Sequence, residues 1–162
     1  MDARGAADHR PRLVAAAHGA AVEIGAGYGA TFPFYPAAVT GVLAIEPDPT
    51  LREPALVAAG RAPVPVTVDD GVAESLPAAD ASVDVVSSLV LCSVADQSAV
   101  LAEIVRVLRP GGEALLYDAR FVTYSDRELR RFTKGAGLDN RTIVREVLPW
   151  GRVRPWALVT MR

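Results

Sequence analysis

Cysteine is almost absent from this 162-residue chain. The single one, Cys92, excludes an internal disulfide and a multi-cysteine zinc site. It also fits a reducing compartment, which points to the cytoplasm. Lysine is as scarce: Lys134 is the only one, and arginine carries the rest of the positive charge. Nor is there a surplus of positive charge. Seventeen Lys+Arg against 19 Asp+Glu leave −2, and a pI near 5.7 lacks the basic excess of a nucleic-acid binder. Long apolar runs are missing too. None reaches the roughly 18 residues needed to span a bilayer. Met1 to Arg12 is charged and polar, with no signal-peptide core. Neither nucleic acid nor a membrane is an expected partner.

What is present describes a globular chain: 51% hydrophobic and 22% charged residues. The length suits a single domain over 1–162, which buries roughly 70% of its unfolded surface. Residues 1–12 read as a loose tail. Leu13 to Ala17 reads as the end of a short helix stopped at Gly19. Short apolar runs at Ala21–Ile24, Val42–Ile45, Val83–Ser87 and Ala114–Tyr117 read as buried strands. Val64–Val68 reads as a strand that Pro63 and Pro65 place at or near a sheet edge.

Between the strands lie helical patterns. Leu51–Ala59 stops at Gly60, and Gln97–Leu108 aligns Val100, Leu101, Ile104, Val105 and Leu108 on one face. Asp126–Thr133, capped by Ser125, reads as a third helix. Pro33 and Pro36 break the region where a helix should follow the first strand, so a short turn is expected there. Thr142–Leu148 and Ala157–Met161 read as a hairpin pair. Strand–helix alternation implies an α/β fold with a doubly wound, Rossmann-like sheet. It is mostly parallel, with an antiparallel C-terminal edge hairpin. Such a sheet binds ligands at the carboxyl ends of its strands.

Val22-Glu23-Ile24-Gly25-Ala26-Gly27-Tyr28-Gly29 follows the first strand. Glycines there let the backbone turn sharply and approach a ligand. Gly25, Gly27 and Ala30 also satisfy a dinucleotide pattern ending in alanine. Glu46 closes the second strand 21 positions after Gly25. A carboxylate there can accept from both hydroxyls of a ribose, as an NAD site and an S-adenosylmethionine site both require. Glu23 separates the two readings. An acid two residues before Gly25 suits a ligand carrying an ammonium group better than one carrying a pyrophosphate.

Four motifs in order resemble class I S-adenosylmethionine-dependent methyltransferases: Glu23–Gly29, Gly71–Pro77, Ser82–Val86 and Arg106–Gly112. The likeness covers roughly Val22 to Leu116, and more loosely the rest. Gly29–Pro36 and Leu89–Val94 further resemble the methyltransferase-like thiol methyltransferases of animals, which act on small lipophilic thiols. Those proteins carry a hydrophobic N-terminal anchor that this sequence does not show. The segment Ala119–Tyr124, which is longer in larger relatives and covers the substrate there, is short here.

The resemblance implies S-adenosyl-L-methionine as cofactor. It places Gly25, Ala26 and Gly27 along the methionine part and Glu23 near the ammonium. Glu46 would hold the ribose, with Pro47 against the adenine. Val72 and Ala73 would line the adenine edge, and Ser88 and Leu89 would close the methionine side. Many relatives have an acid at the position of Val72; here the bond to the adenine amino group is missing, or Asp69 or Asp70 supplies it.

No catalytic base is evident. Asp118, Tyr28 and Tyr35 are the candidates near strand ends, followed by Tyr124 and His18. Cys92 reads as a buried, inert thiol, and Asp84 as a cap before its strand. The expected partner is a small-molecule methyl acceptor, with sulfur favoured by the resemblance. The chain's small size leaves room for a homodimer. An NAD-dependent oxidoreductase and a non-catalytic S-adenosylmethionine-binding module are the competing readings.

Overall fold

The structure, a computed structural model, describes residues 9–88, 90–118, 127, 144–148 and 156–161. Its elements run α1 (Arg10–Val14), β1 (Gly19–Ile24), a 3-10 turn (Phe32–Phe34), β2 (Val39–Ile45), α2 (Pro49–Ala59), β3 (Val66–Asp69) and β4 (Asp84–Ser88). Then follow α3 (Gln97–Val107), β5 (Ala114–Asp118), β6 (Val144–Leu148) and β7 (Trp156–Met161).

The strands form one seven-stranded sheet in the order β3-β2-β1-β4-β5-β7-β6. β1 to β5 pair in parallel, and β7 runs antiparallel to both β5 and β6. The chain grows outward from β1 through β2 to β3, then returns to place β4 on the other side of β1. That reversal leaves a crevice at the carboxyl ends of β1 and β4.

Both faces of the central strands are covered, so they read as apolar runs. On one face Val22, Ile24, Val85 and Leu116 pack under Val100, Leu101, Ile104 and Val107 of α3. On the other, Ala21, Ala44, Val86 and Leu115 meet Leu13 and Val14 of α1, Phe32, and Ala55 of α2. Helices α2 and α3 are each started by a side chain. Asp48 accepts from the Thr50 amide at 2.8 Å, and Asp96 from that of Ala99 at 3.0 Å, filling donors a helix start leaves open. The prolines act as their chemistry requires: only the 3-10 turn Phe32–Phe34 stands between β1 and β2.

The loose tail expected over 1–12 is not what the structure shows from His9 onward; residues 1–8 lie outside the described residues. Residues from Arg10 are helical and His9 is buried, because Pro11 opens α1 and Leu13 and Val14 anchor it in the core. The helix expected over Asp126–Thr133 lies outside the described residues except for Arg127, which is helical.

At the amino end of the sheet, far from the crevice, Asp84 is fully buried. It accepts from the amides of His18 and Glu113, each at 3.1 Å, and pairs with Arg109 Nε at 3.0 Å. The His18 ring sits between Asp84 Oδ2, 3.3 Å away, and the Arg109 guanidinium. Three chain segments are thereby tied to one carboxylate. A Cβ on Gly112 would fall 2.8 Å from Asp84 Oδ1, so the glycine is needed for this approach. Asp84 caps its strand, as its sequence position suggests.

Removing Arg109 leaves the Asp84 charge short of its compensating cation. Arg109→Gln is expected to cost roughly 2 kcal/mol, less than a fully buried pair because the guanidinium is partly exposed. Urea unfolding of the two proteins measures it.

Candidate cofactor cleft

A cleft of about 450 Å³ opens at the crevice, within the range of small-molecule sites. Four segments wall it: Ile24–Gly27 after β1, Glu46 to Leu51 after β2, Gly71–Glu74 after β3, and Ser88 to Ala95 after β4. Gly25 and Gly27 have φ of +64° and +58°. A Cβ on Gly25 would lie 2.3 Å from Val90 Cγ2, so this turn and the β4 loop close on each other only through a glycine. The space beside Gly27 is open.

Glu46 fixes the loop. Its carboxylate is buried and accepts from the Gly27 amide at 2.8 Å and the Asp48 amide at 3.0 Å, one on each oxygen. Each oxygen keeps a further acceptor direction. The arrangement fits a vicinal diol, and the residues present therefore fit a ribose-bearing cofactor. Arg52 steadies the same corner: Nη1 reaches the carbonyls of Glu46 and Pro47, both at 2.8 Å, and Asp70 Oδ1 at 2.7 Å.

Of the residues singled out in the sequence, Gly25, Gly27, Glu46, Pro47, Val72, Ala73 and Ser88 line the cleft together. Ala26 and Glu23 do not line it. The Ala26 side chain packs on the opposite side, and its amide donates to Ile45 at 3.0 Å. Glu23 is buried behind the loop, where it accepts from the Tyr35 hydroxyl at 2.8 Å. Leu89 and Tyr124 lie outside the described residues. Asp118 ends β5, but its side chain is likewise not described.

Several readings need correction. Tyr35 is buried against Glu23 instead of facing the cleft, and burial with the adjacent carboxyl pushes its phenol well above the usual range. It stays protonated and donates. Tyr28 is exposed but is not part of the cleft wall. His18 stands at the opposite end of the sheet. Cys92 is exposed, not buried: the turn closed by the Ser93 amide on the Val90 carbonyl sends Leu91 into the core and Cys92 outward. Asp70 is engaged by Arg52, and Asp69 accepts from the Asp70 amide; neither lines the cleft.

Glu74 does line it, and its carboxylate makes no hydrogen bond or ion pair among the described residues. The sequence reading passed over it, although it belongs to the Gly71–Pro77 motif. Val90 was missed because its role depends on a contact with Gly25 that no local pattern encodes.

Burial pushes Glu23 up to about 7, against the opposing bonds from Tyr35 and Thr31 and the charge of Arg10. The folded chain therefore holds this proton more tightly than the unfolded chain, whose value is 4.5. Glu23 contributes its full stabilisation below that value and loses it as pH rises to about 7. The loss is on the order of 3 kcal/mol. In urea titrations at pH 4.5 and 8, wild type should weaken with pH relative to Glu23→Gln. A pH-independent difference between the two refutes the assignment.

The comparisons with known proteins agree with this geometry. A family described as a methyltransferase domain matches residues 22–116. Human thiol S-methyltransferase TMT1A is 41% identical over 107 residues, 56% of this chain and 38% of that protein. The chain thus spans well under two thirds of that relative's length. Among solved structures, the YcgJ protein of Bacillus subtilis superposes with a TM-score of 0.73 at 24% identity, over 90% of this chain and 74% of that one. A Thermotoga maritima S-adenosylmethionine-dependent methyltransferase, a possible histamine N-methyltransferase, gives 0.72 at 22% identity, over 98% and 89%. These two likenesses show a shared fold, and the family match covers the glycine loop, Glu46 and every other described wall of the cleft. The chain belongs to the methyltransferase domain family.

Proposed function

We propose that this protein transfers a methyl group from S-adenosylmethionine to a small-molecule acceptor, and that the acceptor atom is a thiol sulfur. The observation that carries the cofactor assignment is the Glu46 carboxylate, buried in the cleft wall with one acceptor direction per oxygen still open. Glu46 accepts from the ribose hydroxyls. Pro47, Val72 and Ala73 flank the base, and Glu74 takes the place of the acid that Val72 lacks, accepting from the adenine amino group. Gly25 and Gly27 let the methionine part lie against the backbone, with Ser88 closing that side. Glu23 props the loop from behind through Tyr35. When bound, the cofactor supplies a methyl carbon already activated by a sulfonium. The protein's remaining task is alignment and exclusion of water.

Two observations support a thiol. One is the 41% identity, over 107 residues, to a thiol S-methyltransferase. Moreover, the described cleft wall contains no histidine, tyrosine or cysteine, and Glu46 and Glu74 are its only ionisable groups. A thiol needs little help from a base: with an ordinary value of about 8.5 it is partly ionised at neutral pH, whereas an alcohol is not.

Calorimetric titration with S-adenosylhomocysteine tests the cofactor site. Glu46→Ala, checked for folding, is expected to bind roughly tenfold or more weakly, the loss of charge-assisted hydrogen bonds. Equal affinity would remove Glu46 from the site. For the acceptor, turnover of simple thiols should rise with pH up to each thiol's own titration point. Faster turnover of amines or alcohols than of thiols at pH 7 would overturn the sulfur assignment.

A further inference from the structure

The wall formed by Val72, Ala73 and Glu74 belongs to a stretch with no helix to stiffen it. Between β3 and β4 the chain makes one bridge within itself, Val72 to Ser75, closed by the Ser75 amide on the Val72 carbonyl at 3.2 Å. What holds this stretch in place comes from α3. Arg106 Nη2 donates to the Leu76 carbonyl at 2.9 Å. Its Nη1 donates to the Ala78 carbonyl at 2.9 Å and to Asp80 Oδ1 at 2.7 Å. Nε and Nη2 clasp the two oxygens of Glu103 at 2.7 and 2.8 Å.

All five guanidinium donors are thus used, in a planar fork that a lysine ammonium does not reproduce. Glu103 completes the clamp by accepting from the Leu76 amide at 2.8 Å. Both backbone groups of Leu76 are tied to one ion pair, and its side chain is buried beneath α3. Three residues further on, Arg109 engages Asp84 at the other end of the sheet. The two arginines of one motif therefore serve separate places, and one is a control for the other.

We propose that Arg106, paired with Glu103, is a positioning residue for cofactor binding: it holds the loop after β3 so that its Val72–Glu74 wall is formed before the ligand arrives. This rests on the reading that S-adenosylmethionine occupies the cleft. A preformed wall spares the ligand the ordering of that loop, so loss of the clamp should appear as weaker binding.

The test is titration of the full chain with S-adenosylhomocysteine, alongside amide hydrogen exchange. Arg106→Gln is expected to bind about tenfold more weakly, with faster exchange confined to the loop around Leu76. Arg106→Lys should recover only part of the affinity. Arg109→Gln should lose stability yet bind within twofold of wild type, which separates positioning from general weakening of the fold. Unchanged affinity in Arg106→Gln, or an equal loss in Arg109→Gln, overturns the inference and leaves the cofactor reading intact. Absence of binding by wild type overturns both. If Arg106→Gln does not fold, Glu103→Gln carries the test, since it keeps an acceptor for the Leu76 amide but loses the charge. About threefold weaker binding supports the inference, and unchanged binding overturns it.

Discussion

The cleft depends on one carboxylate reaching between two strands. Glu46 directly follows β2, and its oxygens are held by amides from the β1 loop and from the start of α2. Without that bridge the turn would be defined mainly through Ala26, because Gly25 and Gly27 offer no side chains for packing. A charge placed there has a second consequence. Its environment is made of backbone N–H groups, which stabilise an anion without neutralising it. The carboxylate is therefore fixed, desolvated and still able to accept. That combination makes a binding group more than a structural one.

Arginine does much of the work that helices do elsewhere in such a sheet. The connection after β1 is a single 3-10 turn, and the one after β3 has no helix. Arg52 stitches the ends of β2 and β3 together at the cleft. Arg106 anchors the loop that follows, and Arg109 binds the amino end of β4. Arg52 and Arg106 each collect carbonyls and a carboxylate, Arg106 with its whole planar fork, while Arg109 joins the Asp84 carboxylate to the His18 ring. Short connections lower the chain length needed for the fold, but they move its definition from local hydrogen bonding to a few long-range polar contacts.

That division explains what was legible in the sequence. Strands β1, β2, β4 and β5, helix α3 and the glycine loop follow from local spacing, and Glu46 from its distance to Gly25. The cleft residues that could be named in advance lie close after strand ends or, like Val72 and Ala73, in a motif carried by the family resemblance. What escaped depends on contacts between distant segments. Val90 closes on Gly25 across 65 positions, and Arg106 bonds residues 26 to 30 positions earlier. Cys92 was misplaced because an apolar neighbourhood in sequence does not say which side of a turn faces water. Glu23 was legible as an unusual acid in a buried strand, but its partner Tyr35 was visible only once the 3-10 turn had folded back over it.

The strand order carries a consequence for how the sheet is assembled. β6 touches the rest of the sheet through β7, which comes after it in the chain. When β6 leaves the ribosome, the strand it must pair with has not been made, and the edge of β5 is open. Completion of the sheet therefore waits for residues 156–161, which must dock on β5 and receive β6 at their other edge. Until then the nascent chain displays an unpaired strand edge, the feature most prone to unwanted pairing with another chain. The last strand thus acts as the closing stitch of synthesis as well as a member of the sheet.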